Sequence, residues 1–198
     1  GETPTRVSLL CMNHAGYLCL SRLLTRAYLE GHHGDFVAIR ESWLLGENEG
    51  LAVIAGRESP VGAAVASGRI ELARDRLRTW RDAFADRLYL ELTRTHRDGE
   101  ETFNNAALAL ADEFGLPLIA TNDVRFLDRE DFGAHEARVC IATGRVLDDP
   151  RRPREYSAEQ YLKSPEEMAA LFADVPEALE NTVELAKRCN LQLSLGTY

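Results

Sequence analysis

The segment LPLIATNDVRF, residues 116–126, places an apolar run directly before a polar cluster. The apolar run favours a β-strand, and a strongly amphipathic helix precedes it and ends at Gly115. The polar residues that follow the strand are Thr121, Asn122, Asp123 and Arg125. A strand that leaves a helix and ends in Asn-Asp is typical of βα enzyme folds, in which such polar tips form the rim of the site.

The rest of the first 126 residues repeats the same alternation of strand and helix. Apolar runs predict strands at 7–12, 51–55 and 88–92, and helical spacing predicts helices at 18–28, 70–84 and 103–114. Between them we expect a turn at 13–16 and a loop with two histidines at 31–35. The order β-α-β-α-β-α-β favours an α/β fold with a mostly parallel sheet or a barrel.

Residues 127–198 are predicted to be mostly helical. A charged turn at 128–131 leads to a helix at 133–143, and the prolines of DDPRRPREY predict a loop at 148–156. Ser164-Pro165-Glu166-Glu167 has the pattern of a capping box that starts a helix. Asp174, three residues before Glu177, repeats this spacing ahead of a last helix. We expect one βα body over residues 1–126 with a helical end over 127–198.

Composition excludes several classes of protein. The net charge of −9 over 198 residues argues against a surface that binds nucleic acid by bulk electrostatics. No apolar run has the ~18 residues of a membrane span, so we expect no membrane association. The four cysteines are scattered without a Cys-x-x-Cys pair, which favours reduced, mostly buried thiols and a cytoplasmic location. The first residue is Gly, so we expect a piece of a longer protein.

Two carboxylates are candidates for chemistry. Asp123, at the end of its strand, can bind a metal or act as a base, or it can cap the next segment through backbone N–H groups. Glu91 lies between Leu90 and Leu92, and alternation puts it on the opposite strand face from both. There it is either a buried carboxylate that needs a partner or an exposed residue on a half-buried strand.

The histidines and arginines carry weaker signals. No histidine pair has the spacing of metal ligands, although His96 follows the third predicted strand and could share the rim with Asp123. His135 lies near a helix start, where a structural role is the commoner one. Arg57 and Arg125 follow the second and fourth predicted strands, where they could repel a divalent cation, bind a phosphate or neutralise carboxylates.

Several blocks of the sequence resemble the PHP (polymerase and histidinol phosphatase) domain of bacterial DNA polymerase III alpha subunits. The similar blocks cover the chain in order: NHAGYLCLSRLLTRAY, GLAVIAGRESPVG, LPLIATNDVRF, FLDREDFGAHEARVCIATG and SPEEMAALFADVPEALENTVELAKRCN. The last block is similar to this polymerase family rather than to PHP domains in general. The resemblance implies part of a distorted (βα)7 barrel followed by C-terminal helices, without the N-terminal part of the domain and without the polymerase palm, fingers and later domains.

The resemblance also implies which residues stand at metal-ligand positions. Complete family members hold divalent metals with His, Asp, Glu and Cys, whereas this sequence has Arg6, Arg57 and Arg125 at three of those positions. Asp123 remains as the remnant of a lost site. We therefore expect no catalytic residue and no cofactor in this segment, and Mg²⁺ only in the palm of the parent polymerase.

The function implied is that of a non-catalytic platform within a replicative DNA polymerase. Its expected partners are the proofreading exonuclease (epsilon) subunit, other polymerase III holoenzyme subunits, DNA through the parent chain, and a second copy of the segment itself. The alternative is a metal-dependent phosphoesterase or 3′–5′ exonuclease, completed by a preceding segment, in which Asp123, Glu91 and His96 are active.

Overall fold

The computed structural model describes residues 4–34, 36–193 and 196. Its strands are β1 (Ser8–Cys11), β2 (His32–His33), β3 (Phe36–Val37), β4 (Leu51–Ala55), β5 (Leu88–Thr93) and β6 (Leu118–Thr121). Its helices are α1 (His14–Glu30), α2 (Glu41–Gly46), α3 (Pro60–Ala66), α4 (Ile70–Phe84), α5 (Glu100–Phe114), α6 (Phe132–Thr143), α7 (Pro165–Leu171) and α8 (Pro176–Arg188).

The main sheet has the strand order β1-β4-β5-β6. The pairs β4–β5 and β5–β6 are parallel, as predicted, but β1 runs antiparallel to β4. The connection between β1 and β4 begins and ends at the same end of the sheet, where Met12 N donates to Gly50 O at 2.9 Å. The mixed α/β class is thus confirmed. The seven-stranded barrel and the division at residue 126 stay predictions.

The sheet is apolar on both faces. One face carries the larger core, in which Val53, Leu90 and Leu118 pack with Trp80 and Phe84 of α4. The other face packs in a smaller core against the C-terminal helix, and its buried members are Ala52, Ile54, Tyr89, Ile119 and Leu185. Burial on both faces explains why β4 reads as an unbroken apolar run.

The amphipathic helices match the sequence predictions closely. α4 has the predicted bounds, and α5 ends at Phe114 with Gly115 as its C-cap, whose φ of +63° suits glycine. α1 begins at His14, so the turn predicted at 13–16 is wrong beyond its first residue. Asn13 is the N-cap of α1, because its side chain accepts a hydrogen bond of 3.0 Å from Gly16 N.

Two short α-helices and one hairpin among the described residues were not predicted. They are α2, α3 and the hairpin of β2 and β3, which replaces much of the loop expected at 31–35; Asp35 lies outside the described residues. The helices have only 6 and 7 residues, too few to show a clear apolar period. The Ser59 side chain caps α3 by accepting from Gly62 N at 3.1 Å.

The four cysteines are free thiols; Cys19 and Cys140 are buried, and Cys11 and Cys189 are half-buried. In the parts of the chain that the structure describes, no helix is long and apolar enough to cross a membrane.

The C-terminal helices pack onto the βα body. The capping box of α7 is confirmed, since Ser164 and Glu167 bond each other's backbone N–H groups. The cap predicted at Asp174 is wrong, because Val175 is the N-cap of α8 and the Asp174 carboxylate binds Arg94 at 2.6 and 2.8 Å.

The final helix α8 lies along β6, the last strand of the sheet. Asn181 Nδ2 donates to Leu118 O at 2.9 Å, and Ala120 N donates to Thr182 Oγ1 at 3.2 Å. Side chains of α8 therefore form hydrogen bonds with backbone groups of β6 that a further strand would otherwise bind.

Candidate functional site

The carboxyl ends of the parallel strands β4, β5 and β6 form one rim, as their order in the sheet requires. Asp123 follows β6 there, two residues beyond the end of the strand. Its φ is +41°, a left-handed conformation that aspartate adopts more readily than most residues. This turn directs the chain away from the sheet immediately after the buried Asn122.

The Asp123 carboxylate is fully engaged by protein donors. Arg97 Nη1 lies 2.8 Å from its Oδ2, and Arg125 Nη2 lies 2.8 Å from its Oδ1. Gln160 Nε2 adds a hydrogen bond of 2.9 Å to Oδ2 and one of 3.1 Å to the Asp123 carbonyl oxygen. Asp123 is therefore held between two guanidinium groups and a buried amide, and it does not cap the following segment through N–H groups.

Arg97 is the central cation of the rim, and the sequence analysis did not identify it. Its side chain is only 9% exposed, and besides Asp123 it contacts Glu100, whose Oε1 lies 3.4 Å from Arg97 Nε. Glu100 opens α5 and accepts further hydrogen bonds from Thr95 and Thr93. Burial raises the pKa of Glu100, but those hydrogen bonds and the Arg97 charge outweigh it and hold the pKa below its usual value.

The spacing of Arg97 and Glu100 was the available signal for this pair. The two residues stand three positions apart just before the helix predicted at 103–114, and an acidic side chain suits the free N–H groups of a helix start. Gln160 left no comparable signal, because it lies 37 residues from Asp123.

Glu91 lies on the face opposite Leu90 and Leu92, as alternation predicted, and it has a partner. Thr121 Oγ1 donates to Glu91 Oε1 at 2.7 Å across the β5–β6 pair. Burial raises the pKa of Glu91, and the nearby Asp123 charge adds to this rise. A Cβ atom placed on Gly56 would lie 2.0 Å from Glu91 Oε2, so the backbone directly after β4 packs closely against the carboxyl group.

The other arginines named from the sequence bind protein groups. Arg57 Nη1 donates to the Asp98 carbonyl oxygen at 2.7 Å, and Arg57 Nη2 lies 3.7 Å from Glu58 Oε1. Arg6 also approaches Glu58, at 3.7 Å, but its side chain is 79% exposed. Arg57 and Arg125 thus neutralise carboxylates at the rim, which was one of the roles expected for them.

His96 and His135 do not join this cluster. His96 is exposed on the loop after β5, with a φ of +60°. His135 is buried between the rings of Phe126 and Tyr156, at centroid distances of 5.4 and 4.6 Å. Burial and the Arg138 charge lower the pKa of His135, which fits the structural role expected for it.

The donors at the rim do not fit the metal cluster that the resemblance implies. Within residues 4–34, 36–193 and 196, no three His, Cys, Asp or Glu side chains come together as a metal-binding group. Asp123 is paired with guanidinium groups, which carry a permanent charge and cannot coordinate a cation. As arranged, the rim can form ion pairs and hydrogen bonds that join three segments of the chain.

Comparisons with known proteins agree with the resemblance. The PHP domain family profile matches residues 1–95. DNA polymerase III subunit alpha of Xylella fastidiosa (strain Temecula1) is 56% identical over 196 residues, which is 98% of this chain and 16% of the relative. The Pseudomonas fluorescens protein of the same name is 50% identical over 195 residues, 98% of this chain and 17% of the relative.

The same relationship extends to Escherichia coli (strain K12). Its DNA polymerase III subunit alpha is 47% identical over 199 residues, covering 100% of this chain and 17% of the relative. The chain therefore spans about one sixth of the length of the curated relatives it matches. Along its whole length the chain is similar to one segment of these DNA polymerase III alpha subunits, and its residues 1–95 match the PHP domain family.

Proposed function

We propose that this segment is a non-catalytic PHP-type module of a replicative DNA polymerase and that it docks the proofreading exonuclease subunit. The parent chain, in this proposal, adds deoxynucleotides to a primer on a DNA template, with Mg²⁺ held in its palm. The observation that carries the non-catalytic role is the state of Asp123. Both oxygens of this carboxylate, the last ligand that the resemblance leaves, are bound by Arg97 and Arg125.

Electrostatics supports this proposal. A divalent cation at Asp123 would have to displace two guanidinium groups and then remain beside them, and both steps are unfavourable. Arg97 has little room to withdraw because its side chain is 91% buried and also contacts Glu100. Separating a buried arginine from its partners typically costs about 3–5 kcal/mol.

The rim contacts also support a structural role for this part of the chain. Asp123 joins the loop after β5, the turn after β6 and the segment that contains Gln160. Asn122 strengthens the last connection, since its Nδ2 donates to the carbonyl oxygens of Glu159 and Tyr161 at 2.8 and 2.7 Å. A rim fixed in this way presents a constant outer surface, which a docking platform requires.

The catalytic alternative is tested on the intact domain, which includes the preceding segment that this alternative requires. Purified protein is incubated with Mn²⁺ or Zn²⁺ and a 3′-ended single-stranded DNA, and its zinc content is measured after purification. We expect no metal-dependent release of nucleotides and far less than one zinc per chain. The matched variants are Asp123→Ala and Asp98→Ala, the latter on an exposed loop outside the cluster. Release that is lost in Asp123→Ala and kept in Asp98→Ala would establish the metal-dependent enzyme instead.

The docking role requires a separate experiment. The proofreading exonuclease subunit is mixed with the chain, and in parallel with the full-length alpha subunit, and each mixture is resolved by gel filtration. We expect co-elution in both mixtures at micromolar concentration. Co-elution with the full-length subunit alone would place the docking surface outside this segment.

A further inference from the structure

Residues 152–162 form a strap along the turn that follows β6. Arg125 N donates to Gln160 O at 2.8 Å, and Leu162 N donates to Phe126 O at 3.1 Å. Over these described residues the strap contains no helix, and one isolated parallel bridge ties it to the turn. Its position therefore depends on individual hydrogen bonds and side-chain contacts.

Two side chains of the strap anchor it to α6. Arg152 forms a buried ion pair with Glu136. Tyr156 packs edge-on against the His135 ring, with a centroid distance of 4.6 Å and an interplanar angle of 83°. The Arg125 guanidinium lies 5.5 Å from the centroid of the Tyr156 ring. Because His135 and Glu136 are neighbours in α6, both anchors meet the helix at the same place.

The surroundings of the His135 ring favour its neutral form. Nδ1 lies 3.3 Å from Arg138 Nη2, and since a guanidinium can only donate, Nδ1 accepts and the ring proton is on Nε2. Nε2 is buried and meets no hydrogen-bond partner within the described part of the chain. A second proton on Nδ1 would break the bond from Arg138 and add a positive charge near Arg138 and Arg125. The adjacent carboxylate, Glu136, is already paired with Arg152. Burial and the Arg138 charge accordingly lower the pKa of His135, although Glu136 opposes this shift.

We propose that His135 is a pH-sensitive latch, and that protonation of its ring releases Tyr156 from α6 and opens the strap. A charged imidazole needs water or an acceptor, but His135 is only 7% exposed. Of the two rings packed against it, Phe126 lies in the turn directly after β6, whereas Tyr156 belongs to the less regular strap. Displacement of Tyr156 is therefore the smaller change that hydrates the ring.

Opening of the strap changes the rim. The strap carries Gln160, whose amide binds Asp123, and Ser157, whose hydroxyl donates to the Thr95 carbonyl oxygen. Both contacts are lost when the strap moves away, so proton uptake at His135 alters the surroundings of Asp123 without any direct contact between these two residues. This inference does not rest on the proposed platform role.

The direction of the pH effect follows from the sign of the shift. A histidine exposed to water has a pKa of about 6.5. Because the closed strap lowers the pKa of His135, the closed form has its full stability above about pH 6.5 and loses stability as the pH falls toward the lowered pKa. The strap should therefore open progressively in mild acid.

Hydrogen exchange on the full-length alpha subunit tests the latch. Protection factors, which correct for the intrinsic effect of pH on exchange, are measured by mass spectrometry at about pH 7.5 and 5.5 for peptides that cover 124–127 and 157–162. We expect the protection of both peptides to fall about threefold to tenfold, because pH 5.5 lies about one unit below the pKa of an exposed histidine. The β4 peptide, buried throughout, is the internal control and should not change.

Two histidine variants assign the effect. His135→Phe keeps an aromatic ring that binds no proton, so its strap protection should be the same at both pH values. His96→Gln, on the exposed loop after β5, should show the wild-type decrease. Glu91, whose pKa is raised by burial, is present in both variants and so cannot account for a difference between them. A decrease that persists in His135→Phe would overturn the proposal.

A pH scan of the wild type needs no variant, so it does not depend on whether His135→Phe folds. Strap protection is followed from about pH 8 to about pH 4, and its decrease should begin near pH 6.5 while the β4 peptide stays protected. Three results contradict the latch: constant strap protection, a decrease only below about pH 5, where exposed carboxylates titrate, and an equal decrease in β4.

Discussion

Arg97 is a buried cation shared by two carboxylates, Asp123 and Glu100. Its neighbour at the rim, Arg125, could be anticipated as a partner of Asp123, because only one residue separates them in the sequence. Arg97 and Gln160 could not, because the turn at Asp123 and the segment around Gln160 meet only after the chain has folded. Sequence spacing therefore indicates the pairing of Asp123 with Arg125 but not its contacts with Arg97 and Gln160.

The first prediction concerns Arg97→Gln. Loss of this cation leaves Glu100 buried and Asp123 half-buried without their shared partner, which should lower the free energy of unfolding by roughly 3 kcal/mol. Urea denaturation followed by circular dichroism measures the change. Arg78→Gln, in an exposed pair with Asp75 on α4, should have a much smaller effect. Equal effects of the two substitutions would mean that the buried cluster contributes no more than a surface pair.

Two helical glycines that look alike in the sequence provide a second prediction. A Cβ on Gly16 of α1 would lie 2.1 Å from the Gly50 carbonyl oxygen, whereas Gly133 of α6 has open space at the same place. Gly16→Ala should therefore destabilise the chain by about 1–3 kcal/mol, because backbone atoms must move. Gly133→Ala should be neutral or stabilise it by up to about 1 kcal/mol, through helix propensity.

Thermal denaturation of both glycine variants checks this difference. A Gly16→Ala melting temperature at or above that of the wild type would contradict the close approach of α1 to the turn before β4.

At the scale of elements, periodicity predicted the long helices well because each buries one continuous face. α4 shows this directly, since its buried residues Ala73, Leu77, Trp80 and Phe84 recur at steps of three and four. The short helices α2 and α3 have no full period, so tertiary packing rather than pattern determines them. The antiparallel direction of β1 relative to β4 could not be predicted either, because an apolar run does not indicate how a strand is oriented relative to its neighbour.

The contact of α8 with β6 yields a third prediction. Thr182→Val keeps the shape of the side chain but removes the hydroxyl that accepts from Ala120 N. The unbonded amide should cost about 1–3 kcal/mol of stability and should exchange its hydrogen faster. Hydrogen exchange at Ala120 and urea denaturation measure these two effects. Val183→Thr, at the neighbouring exposed position, should change neither quantity appreciably.

At the scale of the whole molecule, an ion pair joins the C-terminal helices to the sheet. Arg94 follows β5 and binds both carboxylate oxygens of Asp174 and the Leu171 carbonyl oxygen. The hydrogen bonds from Arg94 lower the pKa of Asp174 from 3.8 to about 2. The sequence indicated the helices on either side of Asp174 but not this contact, which spans 80 residues.

The fourth prediction follows from that pKa. Because folding lowers the pKa of Asp174, its contribution to stability is complete above about pH 4 and is lost as the pH falls to about 2. Asp174→Asn should therefore be less stable than the wild type at pH 5, and the difference should vanish near pH 2. Arg94→Gln should show the same convergence. Denaturation midpoints measured from pH 2 to pH 6 would contradict the assignment if the difference stayed constant.

The packing of α8 against β6 also affects how the chain can fold while it is being synthesised. Thr182 is synthesised 62 residues after Ala120, so at about 5–20 residues per second the ribosome takes roughly 3–12 s to supply it. During that interval the nascent chain carries a complete β6 whose edge has no helix to bind. The period in which a chaperone is most useful to this segment is therefore the one between the synthesis of β6 and the synthesis of α8.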